Sequence, residues 1–209
     1  MEKSNLGLRY LLQFSFVSVI ALITLTTING QAYAGVYGWK WGVTTVNYDP
    51  HTMDSGWIQI ANEGRQPWNN VTPSPFTILR NDTSNNDIYL GYVDGPGAGT
   101  LLAITKLYCG PSICSQNGST VTRGTIKIEP TESWHLNDTC MIPANSYDAR
   151  GVATHEFGHF ATLSHSTVGC GGSDPATMCS SIPPGPGSVA CAYRSLVSDD
   201  QANLNTQYP

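Results

Sequence analysis

The segment His155-Glu156-Phe157-Gly158-His159-Phe160-Ala161-Thr162-Leu163-Ser164-His165 decides the reading of this chain. His155 and His159 are four residues apart, so on a helix both imidazoles leave the same face, one turn apart. Glu156, next to His155, leans over the same point without ligating it. Beyond Thr162 the chain must leave the helix and fold back, which brings His165 to that point as a third nitrogen ligand. Three protein ligands leave the fourth position of a tetrahedral zinc open to water, as in a catalytic site and not a structural one. Zinc lowers the pKa of such a water to about 7 and polarises a carbonyl, while Glu156 takes the water's proton as general base and later returns it to a leaving amine. Three of the five histidines fall within these eleven residues. A helix with two surface histidines and a third in a loop would leave that clustering as coincidence.

The rest of the chain reads as one α+β domain. Apolar residues make up 40% and charged residues 12% of 209, with 10 Tyr, 5 Trp and 21 Gly, a balance that fits a loop-rich globular protein and not a disordered one. Net charge is −5, the wrong sign for a protein that neutralises phosphates, so nucleic acid is not an expected partner. Strands are expected at Val36–Tyr48, Phe76–Arg80, Asp87–Val93, Thr100–Tyr108 and Thr120–Ile128. Asp54 caps a helix that stops before Pro67, and Ser146 or Asn145 opens the histidine helix, which runs to about Thr162. Gly95–Gly99 is a loop and Gly169–Gly187 is irregular. Ser198 with Gln201 forms a capping box for a short terminal helix ending near Gln207. Strands, then a central helix, then loops and a last helix give the α+β class.

Residues 1–34 read as an export signal. Lys3 and Arg9 precede the uncharged stretch Tyr10–Ile28, and Ala32-Tyr33-Ala34 supplies the small-x-small cleavage pattern. The alternative is a retained anchor, but Gln13, Ser15, Ser18 and three threonines dilute the stretch. Cleavage after Ala34 leaves eight basic and fourteen acidic residues. All six cysteines lie beyond it: Cys109, Cys114, Cys140, Cys170, Cys179 and Cys191. An even set in an exported chain implies up to three disulfides in one of 15 pairings. Cys109–Cys114 is attractive, because its short loop holds Gly110-Pro111. Without a C-x-x-C pair, thiolate ligation of a metal is disfavoured.

On these residues the sequence resembles the metzincin zinc endopeptidases and, within them, the matrixin branch. Asp174-Pro175-Ala176-Thr177-Met178, thirteen residues past His165, is similar to the Met-turn, whose methionine (here Met178) lies beneath the imidazoles. Trp68-Asn69-Asn70-Val71-Thr72-Pro73 with Phe76, Asp87–Leu90, Gly95–Ala103 and Leu196–Tyr208 match the branch more loosely. The resemblance implies a metzincin-type fold: a twisted, mixed five-stranded sheet, the active-site helix behind it and a small C-terminal part below the cleft. Residues 35–209 would be the catalytic domain. It also implies secretion, one catalytic zinc on His155, His159 and His165, and Glu156 as the catalytic base. An extended polypeptide substrate would pair with the edge strand near Leu101, Leu102 and Ala103. Selectivity would come from a pocket walled by Cys179–Gly187.

The chain departs from the branch where Thr162 replaces the usual glycine of the sharp turn, since a β-branched residue resists positive φ. Leu101–Ile104 offers no histidine for a structural zinc. Calcium is left unassigned, with Asp94 a lone candidate ligand. No inhibitory cysteine motif precedes the first strand, so latency of that kind is not expected. His51 and His135 read as surface or packing residues. Asn70, Asn81, Asn117 and Asn137 begin glycosylation sequons that matter only in a eukaryotic secretory pathway. The expected state is a monomer with no membrane partner once the signal is gone. Two other functions stay open: a catalytically silent binding or structural protein of this fold, and a zinc hydrolase of non-peptide amides. Mass spectrometry of the exported protein should find Gly35 at the N-terminus; Met1 there would overturn cleavage.

Overall fold

A computed structural model describes residues 35–93, 101–167, 169–170, 174–186 and 189–209. The export-signal reading of residues 1–34, the Gly95–Gly99 loop and Asp94 lie outside the described residues. The strands are β1 (Lys40–Trp41), β2 (Thr45–Tyr48), β3 (Thr77–Arg80), β4 (Asp87–Leu90), β5 (Ala103–Cys109), β6 (Ser112–Ile113), β7 (Thr120–Val121), β8 (Arg123–Ile128), β9 (Trp134–His135) and β10 (Tyr147–Asp148). The helices are α1 (Ser55–Asn69), α2 (Ala149–Phe160), α3 (Val189–Ala192) and α4 (Ser198–Gln207). Among the described residues, no helix is long and apolar enough to cross a membrane.

The main strands form a mixed four-stranded sheet in the order β4-β8-β5-β6 and, set beside it through one isolated bridge, the two-stranded sheet β2-β3, in place of the single five-stranded sheet expected. The pairs β2–β3 and β4–β8 are parallel, and β5 lies antiparallel to β8 at the edge. A single bridge, Asp49 to Asp87, joins β2 to β4, where Ile88 N–H donates to Asp49 O at 2.9 Å. Beyond β8, the edge strand β5 pairs with β6 only at Tyr108 and Cys109. Along Ala103–Leu107 its outer edge carries no strand among the described residues.

Val46, Ile78, Ile88, Ile126 and Ile128 turn one sheet face inward. Trp57, Ile60 and Trp68 of α1 and Phe157 and Phe160 of α2 pack into the same core. Fully burying an aromatic or aliphatic side chain of this size contributes about 1.5–3 kcal/mol, so this layer is the main source of stability.

Several boundaries differ from the sequence expectations, each for a local reason. Val36–Tyr48 is two strands, because β1 leaves the main sheet to pair with β7 and the chain crosses between sheets at Gly42–Thr44. Thr120–Ile128 is likewise broken at Thr122, whose N–H donates to Tyr108 O at 2.8 Å. Pro67 lies inside α1 and does not end it. Trp68 is fully buried and its indole N–H donates to Thr154 O at 2.7 Å, which holds the last turn despite the missing amide donor. Helix α2 opens at Asp148 and not at Asn145 or Ser146: Asp148 Oδ2 accepts Gly151 N–H at 3.0 Å, whereas Asn145 has φ 59°. The expected Ser198–Gln201 capping box does not form: the N-cap is Val197, whose side chain accepts nothing, and only Asp200 reaches back, accepting Val197 N–H at 3.2 Å. Asp54 caps α1 as expected, accepting Trp57 N–H at 3.0 Å.

Helices α1 and α2 meet closely at Gly64. A Cβ built there would lie 2.8 Å from Ala153 Cβ and 3.0 Å from Thr154 N. Gly64→Ala, which favours an isolated helix, should therefore lower the melting temperature, by roughly 3–10 °C for an overpacking strain of about 1–3 kcal/mol; an unchanged or raised value would show that the helices do not meet there.

Candidate active site

Helix α2 is anchored before it presents any chemistry. Asp148 caps it and is fully buried, and its carboxylate takes a two-pronged contact from Arg194, Nε to Oδ2 at 2.8 Å and Nη2 to Oδ1 at 2.7 Å. Arg194 also donates to the carbonyls of Asn137 and Asp138 at 3.0 and 2.8 Å, and Cys140–Cys191 closes the same corner. A buried carboxylate with a paired guanidinium and an N-cap bond is fully satisfied.

From that helix His155 and His159 face a cleft of about 640 Å³. Their rings stand 4.6 Å apart, and His165 comes within 5.2 and 4.7 Å of them. Ligand atoms of the three lie within 4.8 Å of one another, the only such cluster among the described residues. His155 Nδ1 is 2.7 Å from Thr177 O and His159 Nδ1 is 2.7 Å from Leu163 O. A carbonyl only accepts, so both Nδ1 atoms carry the proton and both Nε2 atoms are bare. His159 Nε2 lies 3.1 Å from His165 Nε2. Two imidazole nitrogens bound to one tetrahedral zinc at about 2.0–2.1 Å sit about 3.3 Å apart, so the donor set fits that ion. Burial pushes all three imidazoles toward the neutral, ligating form, His155 down to about 3.

Thr162 makes the turn that delivers His165. It has φ 66°, the left-handed region that its branched side chain resists. Its buried hydroxyl accepts Gln207 Nε2 at 2.7 Å and lies 3.1 Å from Tyr208 Oη, and Gln207 also donates to Trp39 O at 2.9 Å. The end of α4 thus holds the turn that glycine would make without help.

Met178 is fully buried against Gly158 of the histidine helix, where an added Cβ would overlap its sulfur. The buried Asp200 carboxylate fixes this turn, accepting Thr177 N–H at 2.9 Å and Met178 N–H at 3.2 Å. Burial raises the Asp200 pKa, and those amides oppose the rise. The segment after His165 lies against the same turn: Ser166 N–H donates to Met178 O at 2.7 Å, and Cys170–Cys179 cross-links the two. The remaining disulfide is Cys109–Cys114, so all six cysteines are paired.

Glu156 is buried beside the imidazoles. Burial raises its pKa to about 7, and the Thr105 hydroxyl, 2.6 Å from Oε2, opposes the shift. Leu101, Leu102, Ala103, Tyr147, Val152 and Ile182 line the same cleft. Tyr37 also lines it, 6.3 Å from the His159 ring and stacked on Trp39 at 4.8 Å; burial first, then the Glu156 charge, raises its phenol pKa. His51 and His135 stand apart, His135 buried with Nε2 2.9 Å from Thr139 O.

A family model described as Matrixin matches residues 40–171. The chain belongs to the matrixin family. Comparison with curated proteins finds no match. As a matrixin it carries the zinc metalloendopeptidase fold, and its three imidazoles suit the zinc that the family implies.

Sequence reasoning passed over Thr105, Tyr37, Asp148, Arg194 and Gln207. Asp148, directly before the helix, carried a capping signal; the others act across long sequence separations. Thr162→Val keeps the strain and removes the hydroxyl, leaving buried polar partners unpaired at about 1–3 kcal/mol. It should melt below both the wild type and Thr162→Gly, which relieves the positive φ; equal melting of Thr162→Val and the wild type would mean that the hydroxyl holds nothing.

Proposed function

We propose that this matrixin is an exported, monomeric endopeptidase that hydrolyses peptide bonds of extended polypeptides with Glu156 as general base. One observation carries the reading: a buried carboxylate stands beside three neutral imidazoles whose ligand atoms converge on one point, in a cleft bordered by a strand edge that is unpaired among the described residues. Zinc held by His155, His159 and His165 would supply Lewis acidity and an acidified water. Glu156, with its pKa raised to about 7, suits both halves of the reaction: it accepts a proton from the attacking water and returns it to the departing amine. The outer edge of β5 offers main-chain donors and acceptors to a strand-like substrate, so binding would depend little on its sequence, while Val152, Tyr147 and Ile182 would select one side chain. Three disulfides support an oxidising compartment, in keeping with the leader-like first 34 residues.

The mature protein should digest a peptide library, lose that activity to a chelator and regain it with zinc. Glu156→Gln should keep zinc and lose about 10²–10⁴-fold in turnover. A folded, zinc-loaded wild type that cleaves no peptide, or undiminished turnover by Glu156→Gln, would overturn the reading.

A further inference from the structure

The inward-facing hydroxyl of β5 next to the catalytic carboxylate is unexplained by the fold alone. Thr105 Oγ1 lies 2.6 Å from Glu156 Oε2 and 3.1 Å from Glu156 O. It has one proton to give, and the shorter, charge-assisted contact to the carboxylate takes it. The placement follows from strand alternation. Thr105 is opposite Ile126, which is fully buried, and two residues from buried Leu107, so its side chain leaves the face that packs on α2. No other hydrogen bond to the Glu156 carboxylate is present among the described residues.

We infer that Thr105 is a positioning residue for Glu156: its hydroxyl pins Oε2 and leaves Oε1 to face the cleft and take the water's proton. The inference rests on the reading of Glu156 as general base. A glutamate has three side-chain torsions, and an untethered carboxylate spreads over several staggered arrangements. One hydrogen bond from a strand fixed in the sheet selects a single arrangement. The tether also lies on the strand whose free edge borders the cleft, so the element proposed to align the substrate also aligns the base. A purely structural role, bonding only the helix carbonyl, would leave the carboxylate free to rotate.

The test uses the zinc-loaded mature protein and its Thr105→Val, Thr105→Ala and Thr105→Ser variants, each also combined with Glu156→Gln. Kinetics on a quenched peptide, zinc content, melting temperature and calorimetric affinity for a peptide hydroxamate, whose N–OH donates to a carboxylate, are measured. Thr105→Val should lower kcat about tenfold with KM within about twofold and zinc content unchanged. Thr105→Ser should restore kcat to within about twofold of the wild type. The same substitution in the Glu156→Gln background should cost nothing further, because the two residues act as one unit. Hydroxamate affinity should fall about tenfold in Thr105→Val and recover in Thr105→Ser.

Unchanged kcat and hydroxamate affinity in Thr105→Val would overturn the inference. So would a rise in KM alone, a failure of serine to rescue, or an equal loss in the Glu156→Gln background. If Thr105→Val does not fold, Thr105→Ala gives the same comparison. If the wild type cleaves no peptide, the endopeptidase reading falls and the hydroxamate series alone decides whether Thr105 holds the carboxylate.

Discussion

Two backbone carbonyls, those of Thr177 and Leu163, determine which nitrogen of His155 and His159 is bare. An imidazole in a dry pocket is neutral, but neutrality alone leaves two tautomers, and only one points a lone pair at the shared centre. The site therefore depends on main-chain placement at two turns outside the helix, one directly after it and one around Thr177. Asp200 holds the Thr177 turn through amide hydrogen bonds. Gln207 and Tyr208 hold the Thr162 turn, which carries Leu163 and leads to His165. Helix α4 contributes no residue to the cleft lining among the described residues and yet holds both turns.

The opposite end of α2 is secured by different chemistry. There Asp148 and Arg194 form a buried, fully bonded ion pair, and Cys140–Cys191 closes the loop beside it. Replacing such a pair with apolar residues can stabilise a protein, so its presence is no proof of extra stability. Its visible effect is geometric: one guanidinium joins the helix cap to the carbonyls of the 137–139 loop and fixes the helix axis along which His155, Glu156 and His159 are spaced. Thr105 and the sheet edge add a lateral constraint, so the base and the imidazoles are each set by elements on different sides of the core.

The sequence was most legible where function and local geometry coincide. Eleven residues contain all three imidazoles that could hold a metal and the carboxylate proposed as base, and helical spacing alone brings two of the imidazoles together. Asp54 before α1 and the strand-like β-branched runs were equally readable, because capping and pleat act over a few residues. Errors arose where tertiary contacts override a local rule. Trp68 keeps Pro67 inside a helix, β7 draws Lys40–Trp41 out of the main sheet, and Gln207 lets a threonine stand where a turn calls for glycine. The Thr105–Glu156 and Gln207–Thr162 contacts span 51 and 45 residues, and no periodicity in a single chain encodes a hydrogen bond of that reach.

The open margin of β5 has a further consequence. A margin that pairs with no strand among the described residues, if it takes a threaded peptide, is equally open to a sibling molecule, and sheet margins of this kind seed aggregation. Here the exposed run is short, because beyond Leu107 the β6 hairpin covers the margin and Cys109–Cys114 cross-links it shut. That staple confines the open run to the few residues next to the carboxylate and so narrows the margin on which sibling strands would stack.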